Sequence, residues 1–397
     1  MNASELLEIN KWLVDGARSA PTPSQMMAEC CERLVRAGLP LWRVGVFVRT
    51  LHPEIAGRNF IWKPGAEVEL GTVDYQILDS PEFIASPLVI VFRQGLEVRA
   101  RVDDPASARF PIVEDLRAEG VTDYLALPLV YMDGFINASS WTTRQPGGFT
   151  EEQVNAIRSL TVPLARYIEI ITLRRTATLL LDTYVGNRAG ERIMGGQIRR
   201  GHADTMDAAI WLSDLRGFTA LSDRLPAATI VEILNLYFDC QVAAIRAHGG
   251  EVLKFMGDGL LAVFPVDEYL GDEAQVCSRV LNAARESRAG VEALQFPNGE
   301  VVERFRFGVA LHLGNVLYGN IGGGNRLDFT CIGPAVNLAA RLEKIAGRLG
   351  RTVVASERFA GICNGDWSDL GEFPIAGFSK AERVYGLHDE APPAAHA

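Results

Sequence analysis

Two carboxylates stand where short turns interrupt predicted apolar strands. Asp214 follows the predicted strand 208–213 and leads into a glycine-containing turn, 215–219. Such a turn offers free backbone amides that can cradle phosphate oxygens beside a bound divalent cation. Asp258 lies at the apex of a predicted hairpin, in the sequence Met-Gly-Asp-Gly at 256–259. Taken singly, Asp214 also suits a helix or turn cap, and Asp258 suits the ordinary chemistry of a tight hairpin.

The fold predicted around these two residues indicates that they act together at one site. In a βαββαβ sheet the first strand lies beside the strands of the hairpin, so Asp214 and Asp258 are expected to approach each other. Two carboxylates that share two Mg²⁺ ions form the arrangement that stabilises attacking and leaving oxygens in phosphoryl chemistry. The pair therefore predicts a metal-dependent reaction at phosphorus.

A third polar pair lies on a predicted helix that begins near Pro334. Asn337 and Arg341 are four residues apart and therefore share one face of that helix. An asparagine can orient a ribose, and a guanidinium can neutralise a phosphate in its transition state. The alternative is a pair of side chains that face solvent only.

The elements that position these residues predict an α+β fold class for residues 203–388. Their order is strand, helix, hairpin, helix, strand and strand, which is the order of a ferredoxin-like βαββαβ core. The predicted ranges are 208–213, 227–247, 251–264, 272–294, 305–312 and 315–321. Such a core hosts many functions, so the function must come from the site.

Four blocks in this region resemble the catalytic domain of class III adenylyl and guanylyl cyclases. They read SDLRGFT, KFMGDGLLAVF, HLGNVLYGNIG and VNLAARLE, in the order found in that family. The resemblance implies that Asp214 and Asp258 bind two Mg²⁺ or Mn²⁺ ions, with the Leu215 carbonyl as a further ligand. It also implies that Asn337 orients the ribose and that Arg341 stabilises the transition state as the 3′-hydroxyl attacks the α-phosphorus. The backbone amides implied to hold the β- and γ-phosphates are those of Leu215, Arg216, Gly217, Phe218 and Thr219.

The resemblance also bears on the choice of nucleotide. Lys254 stands where adenylyl cyclases have a lysine for adenine N1, whereas guanylyl cyclases have a glutamate there. Thr330 stands at the partner position, and its hydroxyl can accept from the adenine amino group. The pair resembles a bacterial subgroup that includes bicarbonate-responsive cyclases, so ATP is the expected substrate and a guanylyl cyclase is the alternative. Where some members grip the terminal phosphates with a lysine, this chain has Phe378, and Lys380 follows two residues later.

Assembly is implied by the same resemblance. In the family, the two carboxylates come from one subunit, and residues matching Lys254, Thr330, Asn337 and Arg341 come from another. A chain with one complete set therefore implies a head-to-tail homodimer with two shared sites. A catalytically silent homologue that only binds nucleotide is the alternative from another functional class.

The first half of the chain predicts a second α+β domain. An N-terminal helix is expected at 1–21, and residues 22–166 are expected to form a sensory domain whose segment 120–149 resembles the closing half of a GAF domain. Its β-like runs are 43–49, 60–63, 88–92, 125–131 and 136–142. Whether this half binds a small molecule stays open. If it does, its function is that of a ligand-binding regulator.

Individual residues of this half predict packing rather than cofactor chemistry. His52 is expected on the surface or in the core rather than on a haem, and Cys30 and Cys31 on the buried side of a helix rather than on a bilin. Seven aromatic residues suit a pocket but suit an ordinary core better. They are Trp42, Phe47, Phe60, Trp62, Phe92, Tyr124 and Trp141.

Residues 167–202 are expected to form a helical linker. Apolar residues recur in it at three- and four-residue spacing, as in a helix-pairing seam, although a packed connector helix explains the spacing as well. The seam comprises Ile170, Leu173, Ala177, Leu180 and Tyr184, and the expected helix breaks are Gly186, Gly190, Gly195 and Gly196. Residues 389–397 are expected to be a disordered tail.

Composition narrows the class of protein. The formal net charge of −10 argues against non-specific binding of nucleic acid. No apolar run approaches the roughly 20 residues of a membrane span, and the N-terminus is acidic, so a cytoplasmic location is expected. The six cysteines have neither CxxC spacing nor zinc-site spacing, which predicts reduced thiols.

Overall fold

The computed structural model describes residues 3–51, 55–294, 305–324 and 326–390. Its internal contacts divide the chain into two compact units, Met1–Leu179 and Leu180–Ala397. Each unit has its own sheet and its own core.

The first unit is built on an antiparallel sheet with the strand order β3-β2-β1-β6-β5-β4. Its described strands are β1 (Arg43–Arg49), β2 (Ile55–Trp62), β3 (Glu69–Asp74), β4 (Val98–Arg101), β5 (Asp123–Val130) and β6 (Ile136–Thr143). Its described helices are α1 (Ala3–Val14), α2 (Pro23–Arg36), α3 (Pro81–Ile84), α4 (Pro87–Gln94) and α5 (Ile112–Ala118), with 3₁₀ turns at Tyr75–Asp79 and Pro105–Arg109. The helix α6 (Glu151–Val185) begins in this unit and ends in the next one.

One predicted strand of the first unit is a helix. The run 88–92 lies inside α4, which begins at Pro87 and ends before Gly95. The hydroxyl of Ser86 accepts a hydrogen bond from the Leu88 amide at 3.1 Å and so caps the helix. A serine cap followed by proline is a helix-start signal that outweighs the β propensity of the apolar run.

The cysteine and aromatic side chains of this unit, for which packing was expected rather than cofactor chemistry, lie in or against its cores. Cys30 and Cys31 lie on the buried face of α2, as predicted, and burial raises the pKa of the Cys30 thiol to about 12. The seven aromatic side chains lie in, or pack against, the two cores on the faces of the sheet. His52 lies outside the described residues.

The predicted helical linker 167–202 is helical only as far as Met194, and its breaks also differ from the prediction. Gly186 separates α6 from α7 (Asn187–Met194) with a φ of 90°, which an L-residue rarely adopts. Gly190, predicted as a break, lies inside α7. The carboxylate of Glu251 accepts hydrogen bonds from the Arg188 amide at 3.1 Å and the Ala189 amide at 3.4 Å. This carboxylate therefore caps the N-terminus of α7 from the second unit's sheet.

The second unit contains a larger sheet with the strand order β13-β14-β12-β10-β7-β9-β8, and β11 pairs with β10. Its described strands are β7 (Ala203–Leu215), β8 (Glu251–Met256), β9 (Gly259–Pro265), β10 (Phe307–Gly323), β11 (Arg326–Ile332), β12 (Val353–Ser356), β13 (Trp367–Phe373) and β14 (Glu382–Leu387). Its described helices after α7 are α8 (Phe218–Ser222), α9 (Ala227–Ala247), α10 (Glu273–Ala293), α11 (Pro334–Leu349) and α12 (Glu357–Ile362). The order β7-α9-β8-β9-α10-β10 and the central pairing β10-β7-β9-β8 match the predicted βαββαβ arrangement.

The two strands predicted at 305–312 and 315–321 are one continuous strand, β10. Gly314, which falls between the two predicted runs, stays in register opposite Ala208 of β7. Its missing Cβ leaves room for helix α11, because a Cβ at this position would lie 2.7 Å from that of Ala335.

The helices α9 and α10 cover one face of this sheet, while α7 and α11 pack on the other. Among the described helices, α9 alone is long and apolar enough to meet a length-and-composition test for a membrane span. Ile233, Tyr237 and Ile245 on its inner face are fully buried in the core, as expected for a helix packed on a sheet.

Candidate active site

Asp214 and Asp258 lie side by side, as the sequence predicts. Asp214 is the penultimate residue of β7, and Asp258 occupies the turn between β8 and β9, which pairs with β7. The turn approaches β7 closely, since a Cβ added at Gly259 would lie 2.5 Å from the Ser213 carbonyl oxygen and 3.2 Å from Asp214 Oδ1. Glycine after Asp258 therefore brings the two carboxyl groups together.

The proximity of the two carboxylates has an electrostatic cost. Burial raises the pKa of Asp214 to about 6, with further contributions from the Asp258 carboxylate and from Glu343. Arg216 opposes this shift only in part. A half-buried acid held beside a second acid is the condition under which a cation binds favourably.

The donor set therefore fits a hard divalent cation, which prefers carboxylate oxygens. Within the described residues, no group of three or more His, Cys, Asp and Glu side chains is placed to hold a metal. The candidate site therefore offers two carboxylates as side-chain ligands. A backbone oxygen and oxygens of the substrate would complete the coordination of a cation.

The turn after Asp214 supplies amides at the start of a short helix. Gly217 has a φ of 74° and is the N-cap of α8, whose first intrahelical bond runs from the Leu221 amide to the Gly217 carbonyl. The amides of Phe218 and Thr219 precede that bond and have no intrahelical partner. Their predicted role in binding phosphate oxygens therefore stays a prediction, with no intrahelical bond competing for these two amides.

Arg216 differs from its expected role among the phosphate-binding residues. Its amide donates to the Arg306 carbonyl at 2.7 Å, and its guanidinium forms an ion pair with Glu343 of α11, also at 2.7 Å. The Arg216 amide is therefore already hydrogen-bonded to the backbone, and the Arg216 side chain points towards α11. Sequence reasoning missed Glu343, which is 127 residues away.

Lys254 and Thr330 lie on strands that run close together. Lys254 is on β8, near enough to Cys331 of β11 to lower the pKa of that thiol, although burial raises it to about 11 on balance. Thr330 precedes Cys331, and its buried hydroxyl has no hydrogen-bond partner among the described residues. In the described parts of the chain, Lys254 likewise forms no ion pair.

Asn337 and Arg341 share the exposed face of α11, as predicted. The opposite face buries Leu338 and Leu342 against the sheet. Among the described residues, neither the Asn337 side chain nor the Arg341 side chain forms a hydrogen bond or an ion pair. The structure does not bring this pair into contact with Asp214 and Asp258 within one chain.

The C-terminal positions considered for phosphate binding are at the surface. Phe378 and Lys380 lie in the exposed segment between β13 and β14. No ion pair of Lys380 is found in the described part of the chain. These two positions therefore stay as predictions.

A polar cavity of about 490 Å³ lies between α7 and the sheet, away from these residues. Its two arginines are engaged, Arg188 with Asp267 at 2.8 Å and Arg192 with Asp204 at 2.7 Å. Its lining comprises Arg188, Glu191, Arg192, Met206, Glu251, Pro265, Tyr269 and Tyr318. None of the sequence-predicted site residues is among them.

Comparison with known proteins agrees with the geometry of the second unit. Residues 202–387 match the family model described as the adenylate and guanylate cyclase catalytic domain. The matched residues make up just under half of the chain and lie within the second unit. The match agrees with the resemblance seen in the four sequence blocks, all of which lie within these residues.

Relatives match this chain in the same region. An adenylate cyclase from Anabaena cylindrica is 31% identical over 161 residues, which is 40% of this chain and 31% of that protein. Adenylate cyclase 1 from Rhizobium meliloti is 29% identical over 170 residues, which is 43% of this chain and 25% of that protein. The chain thus spans less than a third of the length of these relatives. The crystal structure of the adenylyl cyclase CyaB from P. aeruginosa aligns with a TM-score of 0.41 and 24% identity, over 48% of this chain and 97% of that one.

Proposed function

We propose that this protein is an adenylate cyclase that converts ATP into 3′,5′-cyclic AMP and pyrophosphate. The observation that carries the proposal is the close pair Asp214 and Asp258, in which burial and then repulsion between the two carboxylates raise the pKa of Asp214 to about 6. Such a pair is costly unless a cation joins it. The named adenylate cyclase relatives support the same activity.

Asp214 and Asp258 would hold Mg²⁺ or Mn²⁺, two ions for each site, with the Leu215 carbonyl as an additional ligand. Bound there, the cations would supply Lewis-acid stabilisation of the phosphate oxygens. The amides of Phe218 and Thr219 would orient the β- and γ-phosphates at the N-terminus of α8.

The chain's remaining task is to position the ribose and the α-phosphate. In the proposed reaction the 3′-hydroxyl oxygen bonds to the α-phosphorus, its proton passes to solvent, and the bond to pyrophosphate breaks. Asn337 would orient the ribose, and Arg341 would bind the charge that develops on the α-phosphate. Their lack of partners among the described residues supports this role, since a guanidinium free of ion pairs is available to substrate.

Lys254 and Thr330 would select adenine. A lysine ammonium donates to adenine N1, and a threonine hydroxyl accepts from the 6-amino group. The buried Thr330 hydroxyl lacks a partner among the residues that the structure describes, which supports the assignment because such groups are normally hydrogen-bonded.

The separation of the two groups within one chain supports a shared site in a head-to-tail homodimer. In this arrangement Asp214 and Asp258 of one chain face Asn337 and Arg341 of another. Exposed apolar residues on the sheet edge fit such an interface. Leu317 and Ile332 are cross-strand partners, 42% and 45% exposed.

Regulation by the first unit is the remaining part of the proposal. The helix α6 links the two units and has exposed Ile170, Leu173 and Tyr184 along the predicted pairing seam. A change in how two α6 helices pair would alter the orientation of the two cyclase domains and therefore the rate.

The first experiment measures product formed by the full-length chain from ATP or GTP, each with Mg²⁺ or Mn²⁺, by chromatography. Cyclic AMP from ATP is the expected product. Cyclic GMP from GTP as the main product would assign a guanylate cyclase instead. Activity with neither nucleotide, together with tight nucleotide binding, would favour a silent homologue.

Mixing inactive variants tests the shared site. Asp214→Ala and Arg341→Ala should each abolish turnover while the dimer persists. A random mixture should recover about a quarter of the wild-type sites, because half of the dimers are mixed and each has one intact site. A mixture that stays inactive, although mixed dimers form, would contradict the arrangement.

A further inference from the structure

The side chain of Arg216 is held in a slot that joins β10 to α11. Nη1 donates to Glu343 Oε1 at 2.7 Å, and Nη2 lies 3.4 Å from the Glu343 carbonyl oxygen. The side chains of Arg216 and Glu343 are 23% and 9% exposed, so the ion pair is largely withdrawn from water. A buried pair of this kind holds its partners firmly, because separating them leaves an uncompensated charge.

Two glycines make room for the guanidinium. A Cβ at Gly308 of β10 would overlap the guanidinium, and a Cβ at Gly347 of α11 would lie 2.7 Å from Nη1. Space, rather than backbone conformation, is the requirement at both positions. The slot is therefore shaped on two sides for a planar group.

The slot connects the two separate groups of functional residues. Arg216 follows Asp214 by two positions, at the end of β7. Glu343 follows Arg341 by two positions on α11, and it points inward where Asn337 and Arg341 point outward. The ion pair thus fixes α11 relative to the strand end that carries the first metal carboxylate.

We propose that Arg216 is a positioning residue that couples the two active sites of the dimer, an inference that rests on the proposed shared-site function. In that dimer, the carboxylates of one chain serve one site, and Asn337 and Arg341 of the same chain serve the other. The Arg216–Glu343 pair spans these two halves within one chain. A shift of the metal-binding turn in one site therefore moves the transition-state arginine of the other.

Defined heterodimers separate this role from a direct contact with phosphate. One chain carries Asp214→Ala and is called the carboxylate-deficient chain; the other carries Arg341→Ala and is called the helix-deficient chain. Each has its own affinity tag, so that tandem purification yields the mixed dimer. Its single intact site takes its carboxylates from the helix-deficient chain and its α11 from the carboxylate-deficient chain.

Arg216→Lys is then placed in one chain at a time. Lysine keeps the charge but cannot make both contacts to Glu343. In the carboxylate-deficient chain, Arg216 is remote from the phosphates of the intact site, and only its action through α11 remains. We expect kcat there to fall about tenfold, as for misplaced transition-state groups, with the KM for ATP changed less than about twofold. In the helix-deficient chain, kcat should fall as well.

Glu343→Gln in the carboxylate-deficient chain gives an independent variant that preserves shape and removes the charge. It should lower kcat in the same direction, and combining it with Arg216→Lys should add little, since both remove one interaction. The matched control is Arg348→Lys in the same chain. Arg348 is exposed on α11 and has no ion pair in the described residues, so this change should leave kcat unaltered.

Two outcomes would overturn the inference. If Arg216→Lys lowers kcat only in the helix-deficient chain, and Glu343→Gln in the carboxylate-deficient chain leaves kcat unchanged, Arg216 acts locally on its own phosphate turn. If the parental heterodimer is inactive while the wild-type dimer turns over ATP, the shared-site arrangement fails, and intersite coupling fails with it. Thermal unfolding and light scattering on each heterodimer confirm that folding and assembly are intact.

Discussion

Replacing Asp214 with asparagine should stabilise the metal-free protein while abolishing catalysis. Burial and the neighbouring Asp258 raise the pKa of Asp214 from 3.8 to about 6. Between about pH 4 and pH 6, the carboxyl group of Asp214 is therefore protonated in the folded protein and ionised in the unfolded chain. Because the unfolded state then binds fewer protons, the free energy of unfolding falls between about pH 4 and 6 and stays lower above it. Asparagine has no carboxyl group to ionise, so the variant should not show this fall in the free energy of unfolding.

The magnitude follows from the shift. About two pKa units correspond to about 3 kcal/mol, but Asp214 is only half-buried and is partly screened by solvent, so we reduce the figure to about 1–2 kcal/mol. For a unit of this size, that gain raises the melting temperature by roughly 3–6 °C. The gain should be clearly smaller at pH 5 than at pH 8, since only part of the titration is complete at pH 5.

Calorimetry of the full-length chain in a chelator, at pH 5 and pH 8, measures this gain. Asp239, an exposed aspartate of α9, provides the matched control. Asp239→Asn should leave the melting temperature unchanged at both pH values. Added Mg²⁺ should then stabilise the wild type but not Asp214→Asn, because a ligand stabilises only the state that binds it. The reasoning would be refuted if Asp214→Asn were no more stable than the wild type at pH 8, or if its gain were the same at both pH values.

Three further changes test other parts of the molecule. Lys254→Glu together with Thr330→Cys should shift the ratio of kcat/KM from ATP towards GTP, measured by competition; an unchanged ratio would remove both residues from base selection. Glu251→Gln should cost about 1–2 kcal/mol in urea unfolding, because its carboxylate caps α7 and accepts from Tyr318 at 3.0 Å; equal stability would mean that the cap is dispensable. Ile332→Asp should weaken dimerisation and turnover in parallel on dilution, by sedimentation and assay, because it places a charge on the proposed interface; loss of turnover in an intact dimer would argue against that surface.

The sequence predicted the regular part of the second unit well, for physical reasons. The helix 227–247 was predicted with its exact bounds, because its apolar residues recur with a helical period along 21 residues. Asp214 and Asp258 were brought together correctly because the strand order of a βαββαβ sheet makes their strands neighbours. Local pattern and topology were sufficient for both.

The errors arose where local pattern was ambiguous. The run 88–92 is apolar throughout, and an apolar run this short fits a strand or a helix equally well. The cap formed by Ser86 and Pro87 contained the deciding signal. The break predicted between residues 312 and 315 contains Gly314, whose lack of a side chain serves close packing of α11 on a continuous strand.

The role of Arg216 required the structure. The residue lies within the turn predicted to bind phosphate, which suggested a contact with substrate. Its partner, Glu343, is 127 residues away and is one of several charged residues on α11, so no spacing rule identifies it. Only the packing of α11 against β10 shows which way the guanidinium points.

The glycine-walled slot has a consequence for how this sequence can vary among its descendants. A larger residue at Gly308 or Gly347 fills the space that the guanidinium of Arg216 occupies, and a neutral residue at Glu343 removes the charge that holds it. Substitutions at any one of these positions should therefore persist only when the others change too. In evolution, four sites spread over 132 consecutive residues, 216–347, would behave as one inherited character.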